Sequence, residues 1–364
     1  MSAIKTLETA VGAEIVIDGQ RFVNFGGSSY LGLAANPEIL KAGVEALQSC
    51  GSGAPMPGTH GVATRALQEV EAEATRYFLS ESAVYLSSGY CVGLALLAAV
   101  RPQFQIVFYD EVAHYALRDG IAACGLPAHS YHHCDPQDLS GQVRKYLRPG
   151  MRPLVVTDGL YSTFGVIPPL AELAAQVACY DGRLIVDESH SFGVLGAQGR
   201  GALEHCAIDS ALAFAGGSLG KGFGTCGGVI PTTHERAVAL RVTPVALGAA
   251  LGLTAGAAMC ARSLKYVREH PELLQRLRHN TRYVKDGLRA LGLAVKDDVV
   301  PIAAFETGAV APERIKRALM AEGIHVYHST YIGAGAGGVI RIGIFADHIK
   351  EHLDRLLQAL RRLL

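Results

Sequence analysis

The stretch "GGSLGKGFGTCGG", residues 216–228, places seven glycines around a single lysine, Lys221. Two kinds of ligand need so much backbone room beside one cationic side chain. One is a nucleotide phosphate cradled by a glycine-rich loop; the other is a flat molecule held covalently by the lysine. They predict different neighbours elsewhere in the chain, so the reading of this stretch decides what to look for around it.

A loop of the G-x-x-x-x-G-K-[ST] type fails here at two defining positions. Ala215 stands where the first glycine is required, and Gly222 brings no hydroxyl for Mg²⁺. The run "GAGAGG", Gly333–Gly338, formally matches G-x-G-x-x-G, but the strand-like "VIRIGIF" follows it instead of a helix. It reads as a glycine-rich turn between strands.

The remaining reading of Lys221 is a Schiff-base lysine for pyridoxal 5'-phosphate. That cofactor needs a carboxylate facing its pyridine nitrogen, backbone N–H groups at a helix start for its phosphate, and a partner for the ring face. "RLIVDESHSFG" supplies Asp187 for the nitrogen and His190 for the phenolic oxygen. "LSSGYCVGLALLAAV" supplies Gly89 and Tyr90 at a strand-to-helix junction, and "YDEVAHYALRDG" supplies His114 to stack on the ring. Singly these are ordinary caps, buried histidines and turns. Their combination is what points to the cofactor.

Outward from these motifs, "AVYLSSG", "QIVFYDE", "RPLVVTDG", "GRLIVDES", "ALAFAGGS" and "CGGVIPTT" read as strands ending in small or acidic residues, with helical patterns such as "PLAELAAQVACY" between several of them. This alternation predicts an α/β fold, a mainly parallel sheet flanked by helices, with ligands at the edge where the strand ends gather. After Val245 come long helices, "HPELLQRLRHNTRYVKDGLRALG" among them, then short strands "VVPIAAFETG", "IHVYHSTYI" and "GGVIRIGIF" and a closing helix "DHIKEHLDRLLQALRRLL". The expected division is an N-terminal arm over 1–36, a large cofactor-binding domain over 37–245, and long helices with a smaller C-terminal α/β domain over 246–364. No internal repeat is present.

Composition narrows the function classes. With 33 basic and 33 acidic residues in 364, no like-charge block favours nucleic acid or an anionic membrane surface. The 49% hydrophobic content, against 18% charged, suggests surface buried between subunits. Eight scattered cysteines without a C-x-x-C pair read as reduced thiols of a cytoplasmic protein with no metal site. The N-terminus has no apolar secretion signature, and "VALGAALGLTAGAAMCA", residues 245–261, reads as a buried helix instead of a membrane span.

These residues resemble the α-oxoamine synthase family of fold-type-I pyridoxal phosphate enzymes, from "SSYLGLAANPE" near Tyr30 to "IRIGIFADHIKEHLDRLLQAL" at the C-terminus. In that resemblance "SLGKGFG" carries the cofactor lysine, with Ser218 in the place of a phosphate-binding threonine. Asp187, Glu188, Ser189 and His190 form the D-[DE]-x-H element, and Ser88, Gly89 and Tyr90 the phosphate turn. His114 is the stacking histidine, Ser162 of "DGLYSTFG" a serine near the cofactor, and Arg341 of "VIRIGIFADH" the partner of the amino-acid carboxylate. Lys221, His114 and His190 are the implied catalytic residues.

Three segments depart from the family pattern. Ser28 in "GGSSYLGL" stands where an asparagine commonly helps to hold the substrate carboxylate. "TPVALGAALGL" replaces the S-T-x-x-P-P segment that reaches the neighbouring subunit's phosphate, with Thr243 a possible stand-in. "GSGAPMPGTHG", residues 51–61, lacks the arginine of the usual acyl-donor loop, so a carrier-protein thioester is as suitable a donor as acyl-CoA.

The resemblance implies decarboxylating condensation of an amino acid with an acyl thioester to an α-amino ketone, in a homodimer, with an acyl carrier protein as a candidate partner. An aminotransferase, or a lyase or aldolase on an unusual amino acid, is the alternative. A catalytically silent scaffold subunit is opposed by the presence of both Lys221 and Asp187.

Overall fold

The computed structural model describes residues 4–53, 62–249, 252–307, 310–331, 333–334 and 337–364. The chain begins with strands β1 (Glu14–Ile17) and β2 (Gln20–Asn24), then helices α1 (Pro37–Cys50) and α2 (Arg65–Phe78). Alternating elements follow: β3 (Ser82–Leu86), α3 (Tyr90–Val100), β4 (Ile106–Asp110), α4 (Tyr115–Cys124), β5 (Ala128–Tyr131) and α5 (Pro136–Tyr146). Next come β6 (Pro153–Asp158), α6 (Leu170–Ala178), β7 (Arg183–Asp187), α7 (Ala202–His205), β8 (Ala213–Ser218), β9 (Gly228–Thr232) and α8 (His234–Arg241). Helices α9 (Pro244–Ala249), α10 (Thr254–Glu269) and α11 (Glu272–Ala290) lead to β10 (Ile302–Phe305) and α12 (Pro312–Ala321). The chain closes with β11 (Ile324–His325), β12 (Tyr327–Ser329), β13 (Val339–Gly343) and α13 (Lys350–Leu363).

Seven strands form the central sheet in the order β3-β9-β8-β7-β6-β4-β5, with β9 antiparallel to both neighbours and the other pairings parallel. The side-chain period of two sorts the buried strands onto two cores. Phe108, Val155, Leu184 and Val186 join one, while Val107, Leu154, Val156 and Ile185 join the other. Burial on both faces explains why these strands read as continuous apolar runs. The six expected strands of this sheet are present. The seventh, β5, was not expected, because "AHSY" is short and mostly half-exposed at the sheet edge.

Parallel pairing aligns the strand ends. Asp158 lies opposite Asp187, and Asp187 opposite Gly216 two residues before Ser218. Together with Asp110 they put the acidic and hydroxyl ends of β4, β6, β7 and β8 along one edge.

A third core gathers Val23, Phe25, Val284, Leu288, Ala303, Ile340, Leu353 and Leu360. It packs under two small sheets, β10-β13-β12 and β1-β2-β11. Residues Ala257, Cys260, Leu264, Leu273 and Leu277 belong instead to the large core. The hydrophobic cores part inside α11, because α10 lays its small-residue face on α1 and α2. Strands β1 and β2 of the expected N-terminal arm are part of the smaller unit, with β2 pairing to β11.

The expected single helix over 245–261 is two helices, α9 ending at Ala249 and α10 starting at Thr254, with Gly252 at φ 49° between them. No described helix is long and apolar enough to cross a membrane. The glycine-rich 333–338 turn lies between β12 and β13 and is partly outside the described residues.

Candidate functional site

Lys221 follows β8 in a turn closed by the Gly224 N–H on the Lys221 carbonyl, 3.1 Å. Added Cβ atoms would strike neighbouring backbone at three of the surrounding glycines. At Gly222 the clash is 2.4 Å from the Phe192 carbonyl oxygen, at Gly217 2.6 Å from Glu188 and Ser189, and at Gly224 2.6 Å from the Ala34 nitrogen. The glycines thus let three chain segments close on the lysine loop.

Among the described residues the Lys221 ammonium has no hydrogen bond and no ion pair. Burial lowers its pKa; the nearby charges of Asp187 and Asp158 act upward and that of Arg341 downward. Burial without a partner disfavours the ammonium form, which is what a covalent amine needs.

Asp187 ends β7 and is buried. The backbone N–H of Ser189 donates to its Oδ1 at 2.8 Å, the one side-chain hydrogen bond it receives among the described residues. The next residue, Glu188, faces elsewhere: its carboxylate accepts from Ala202 N at 2.7 Å and Leu203 N at 3.0 Å and caps α7, and burial pushes its pKa up to about 7. Two adjacent acids therefore have separate tasks, one structural and one with an oxygen to spare.

His190 Nδ1 meets the Tyr30 hydroxyl at 2.8 Å. Burial, with the cations of Lys221 and Arg341, holds this imidazole well below the ordinary histidine range. His114 is the N-cap of α4, its Nδ1 accepting the Ala116 N–H at 3.1 Å, which leaves the proton on Nε2. Burial lowers its pKa too, against the upward pull of Asp187.

Arg341 lies on β13 of the smaller unit and is 6% exposed. Its Nε donates to the Ser162 carbonyl at 2.7 Å, Nη1 to the Gly27 carbonyl at 2.9 Å and Nη2 to the Tyr30 hydroxyl at 3.3 Å. Two of the five guanidinium N–H groups stay uncommitted, one on each terminal nitrogen. Ser28 follows Gly27 directly and is half-buried, while the neighbouring Ser29 hydroxyl is buried with no partner among the described residues.

The phosphate-turn residues meet Ser218 from across the sheet. Ser88 Oγ accepts the Tyr90 N–H at 3.2 Å, and Ser218 Oγ accepts the Gly220 N–H at 3.0 Å. A Cβ on Gly89 would lie 2.4 Å from Ser218 Cβ. Ser218 N in turn donates to Ser189 Oγ at 2.9 Å, tying this turn to the Asp187 loop. The exposed Tyr90 gives its hydroxyl to Asp119 and sets its ring edge-on to His114, centroids 6.4 Å apart. The Ser88–Tyr90 turn starts α3, whose free N–H groups and dipole favour an anion.

Lys221, Asp187, His190, His114 and the Ser88 and Ser218 turns thus lie at the C-terminal edge of the sheet, with Arg341 reaching in from the smaller unit. Ser28 is placed only by its chain neighbour Gly27, and the Tyr90 hydroxyl turns away to Asp119. Two further residues belong to the same cluster. Tyr30 joins His190 to Arg341. Asp158 accepts the His114 backbone N–H at 3.0 Å beside Asp187, and burial raises its pKa well above the carboxylate range. Their sequence signals were a tyrosine in "SSYLGL" and one strand-ending acid among several. Thr243 has no free hydroxyl, for it donates to the Leu240 carbonyl at 2.7 Å and accepts from Ala246 N at 3.3 Å. The 51–61 loop lies outside the described residues from position 54 onward.

Comparison with known proteins agrees with this geometry. The family model for aminotransferase class I and II matches residues 20–360. The chain is 29% identical to 8-amino-7-oxononanoate synthase 1 of Bacillus velezensis over 362 residues, covering 98% of this chain and 92% of that protein. It is 30% identical to serine palmitoyltransferase of Caulobacter vibrioides over 355 residues, 95% of this chain and 86% of the other. A solved structure of SPT with PLP superposes with a TM-score of 0.91 at 25% identity, over 99% of this chain and 92% of that one.

Proposed function

The chain belongs to the class I and II aminotransferase family and, within it, to the α-oxoamine synthases; from that premise we propose the role of each residue in a pyridoxal phosphate-dependent, decarboxylating condensation of an amino acid with an acyl thioester. The product is an α-amino ketone. The carrying observation is the pairing of a partnerless Lys221 with an Arg341 whose three committed N–H groups aim two free ones.

The residues present fit the cofactor. Lys221 Nζ would hold it covalently, the unused oxygen of Asp187 would face its ring nitrogen, and His190 its phenolic oxygen. His114 would cover the ring, and Ser88, Gly89, Tyr90 and Ser218 would hold the phosphate. Gly89 matters because a Cβ there would fill the space against Ser218. When bound, the cofactor supplies an electron sink for the carbanion that attacks the thioester.

The chain's own groups do the rest. Arg341 donates to Tyr30, and Tyr30 donates to His190 Nδ1, so the imidazole proton resides on Nε2 as a fixed donor. The two free N–H groups of Arg341 match a carboxylate in bidentate fashion, with Ser28 beside them. Holding that carboxylate sets which bond at the α-carbon stands perpendicular to the ring. Lys221 Nζ, lowered in pKa by burial, takes the α-proton.

A homodimer completes this reading. Exposed Leu40, Val44 and Leu47 form an apolar stripe on α1, which supports burial against a second copy. The eight free cysteines support a reducing, cytoplasmic setting. The acyl donor is either acyl-CoA or an acyl carrier protein thioester.

The test is to offer the purified enzyme a panel of amino acids with and without acyl-CoA or acyl-carrier thioesters. Release of free thiol and CO₂ only when both substrates are present supports the condensation. Keto acid and pyridoxamine formed from one amino acid alone would replace it with transamination.

A further inference from the structure

The edge of the sheet that carries the lysine site also carries a second cluster, which the condensation does not use. Asp110 ends β4 and is fully buried; His133 and Cys134 follow β5, the adjacent strand. His133 Nδ1 lies 3.0 and 3.1 Å from the two Asp110 oxygens. Cys134 Sγ lies 3.6 Å from His133 Nδ1 and 3.7 Å from Nε2. One ligand atom from each side chain falls within 4.8 Å of the other two.

The backbone holds this arrangement in place. Val112 N and Cys134 N donate to Asp110 at 2.9 and 2.8 Å, and His133 N donates to Glu111 at 3.2 Å. Cys134 sits at φ 55°, a left-handed conformation that a residue with a side chain rarely adopts. The His133 ring is fixed edge-on against Tyr161, centroids 4.4 Å apart.

We propose that Asp110, His133 and Cys134 form a binding site for a zinc-class divalent metal ion, with the fourth coordination position open. One carboxylate, one imidazole and one thiolate are three ligand types that zinc accepts, and three protein ligands with an open position is the arrangement of reactive zinc sites. At ordinary zinc bond lengths a tetrahedral site separates sulfur and nitrogen by about 3.6 Å. Cys134 Sγ lies 3.6 Å from Nδ1 and 3.7 Å from Nε2, so the thiol sits beside the ring and has to turn toward the Nδ1 side on binding. Carboxylate and thiolate neutralise the dication, so the half-buried cluster carries no net charge.

Without a cation, burial and the Asp110 charge push the Cys134 thiol up to about 12. A dication reverses that balance. On binding, the Cys134 S–H proton leaves to solvent and the sulfur lone pair bonds the metal. Metal-free, His133 Nδ1 carries the proton that bonds the Asp110 carboxylate; on binding that proton moves to Nε2 and the freed Nδ1 lone pair bonds the metal. No electron changes hands, and one proton is released per ion. A cavity of about 50 Å³ bounded by His133, Tyr161, Asp158 and His114 adjoins the cluster, room for a water as fourth ligand. The absence of C-x-x-C spacing led to the expectation of no metal. Here the ligands come from the ends of two strands and become neighbours only through sheet pairing.

The inference is independent of the thioester reaction and is tested by metal content. Chelator-treated holoenzyme is incubated with ZnCl₂, gel-filtered and analysed by mass spectrometry of the metal, with proton release followed in weak buffer. The expected result is one zinc per chain and one proton per zinc. Cys134→Ser and His133→Gln should each cut retained zinc at least about tenfold while far-ultraviolet circular dichroism and the cofactor's visible absorbance match the parent. Exchange of the exposed Cys50 for serine should change nothing. Wild-type enzyme that retains no zinc, or variants that retain it as well as wild type, would overturn the site. The two substitutions remove different ligands, so if one disturbs folding the other decides.

Discussion

The Tyr30 hydroxyl lies 2.8 Å from His190 Nδ1, joining an imidazole of the large core to a phenol from the N-terminal segment, 160 residues away in sequence. Burial raises the Tyr30 pKa against the opposing effect of Arg341, so the phenol keeps its proton and donates it to His190. The same oxygen accepts from Arg341. One hydroxyl thereby orients both the group assigned to the cofactor and the group assigned to the substrate.

Tyr30→Phe keeps the buried ring and removes only that oxygen. A buried hydrogen bond left unmade costs about 1–3 kcal/mol, so the melting temperature should fall by a few degrees, and kcat/KM should fall by about tenfold or more as His190 and Arg341 lose their common partner. Steady-state kinetics beside a thermal melt checks this. An unchanged kcat/KM would show that His190 and Arg341 are oriented by other contacts.

Lys221→Ala should abolish condensation, by about three orders of magnitude or more. Reduction with borohydride should label the wild-type chain at Lys221 and leave the variant unlabelled, as peptide mass mapping would reveal. A label retained elsewhere on the variant would contradict the assignment.

Arg341→Lys preserves charge and loses the planar fork. It should lower kcat/KM for the amino acid about 10- to 100-fold while cofactor affinity stays near wild type. Equal loss of both would mean that Arg341 supports the fold around Gly27 and Ser162 and does not hold substrate.

In Gly89→Ala the new Cβ would meet Ser218 at 2.4 Å. The variant should bind pyridoxal phosphate at least about tenfold more weakly, a loss near 1.4 kcal/mol, while the affinity for phosphate-free pyridoxal changes less. Cofactor titration with both compounds decides, and parallel losses would move the phosphate away from this turn.

Acid should destabilise the protein through His348, which is buried between Phe25 and Phe345. Its Nδ1 accepts the Phe345 N–H at 3.0 Å and its Nε2 lies 2.9 Å from the Asn24 carbonyl oxygen. Burial drops its pKa to about 3, whereas the unfolded imidazole titrates near 6.5. Between those values the unfolded chain binds more protons, so stability falls as pH falls through 6.5. From pH 7 to pH 5 the loss from this group is about 2 kcal/mol. Glu188, raised to about 7, acts in the opposite sense over this range, so denaturant unfolding of wild type and His348→Gln at the two pH values isolates the histidine; an equal pH dependence of the two would contradict the neutral assignment.

Much of this was legible because strands covered on both faces read as apolar runs, and because Asp187, His190 and Lys221 each follow such a run directly. Asp158 was visible as a strand-ending acid, but its place beside Asp187 depends on the register of β6 with β7, which no local pattern encodes. Tyr30 was hidden for a similar reason, since its hydroxyl acquires a role only through a distant contact. Which core α10 joins was not legible, because it presents alanine, glycine and cysteine to its neighbours, a weak periodic signal compared with the leucines of α13.

The pairing of β2 with β11 bears on the order in which a newly made chain becomes competent. Val23 and Asn24 wait for Ile324 and His325, and Gly27 and Ser162 wait for Arg341. A ribosome that has completed the lysine loop has still to make more than a third of the protein. During that interval the groups assigned to the cofactor are all present and the guanidinium assigned to the substrate does not yet exist. The nascent polypeptide thus acquires the means to hold its coenzyme before it can select what the coenzyme acts on.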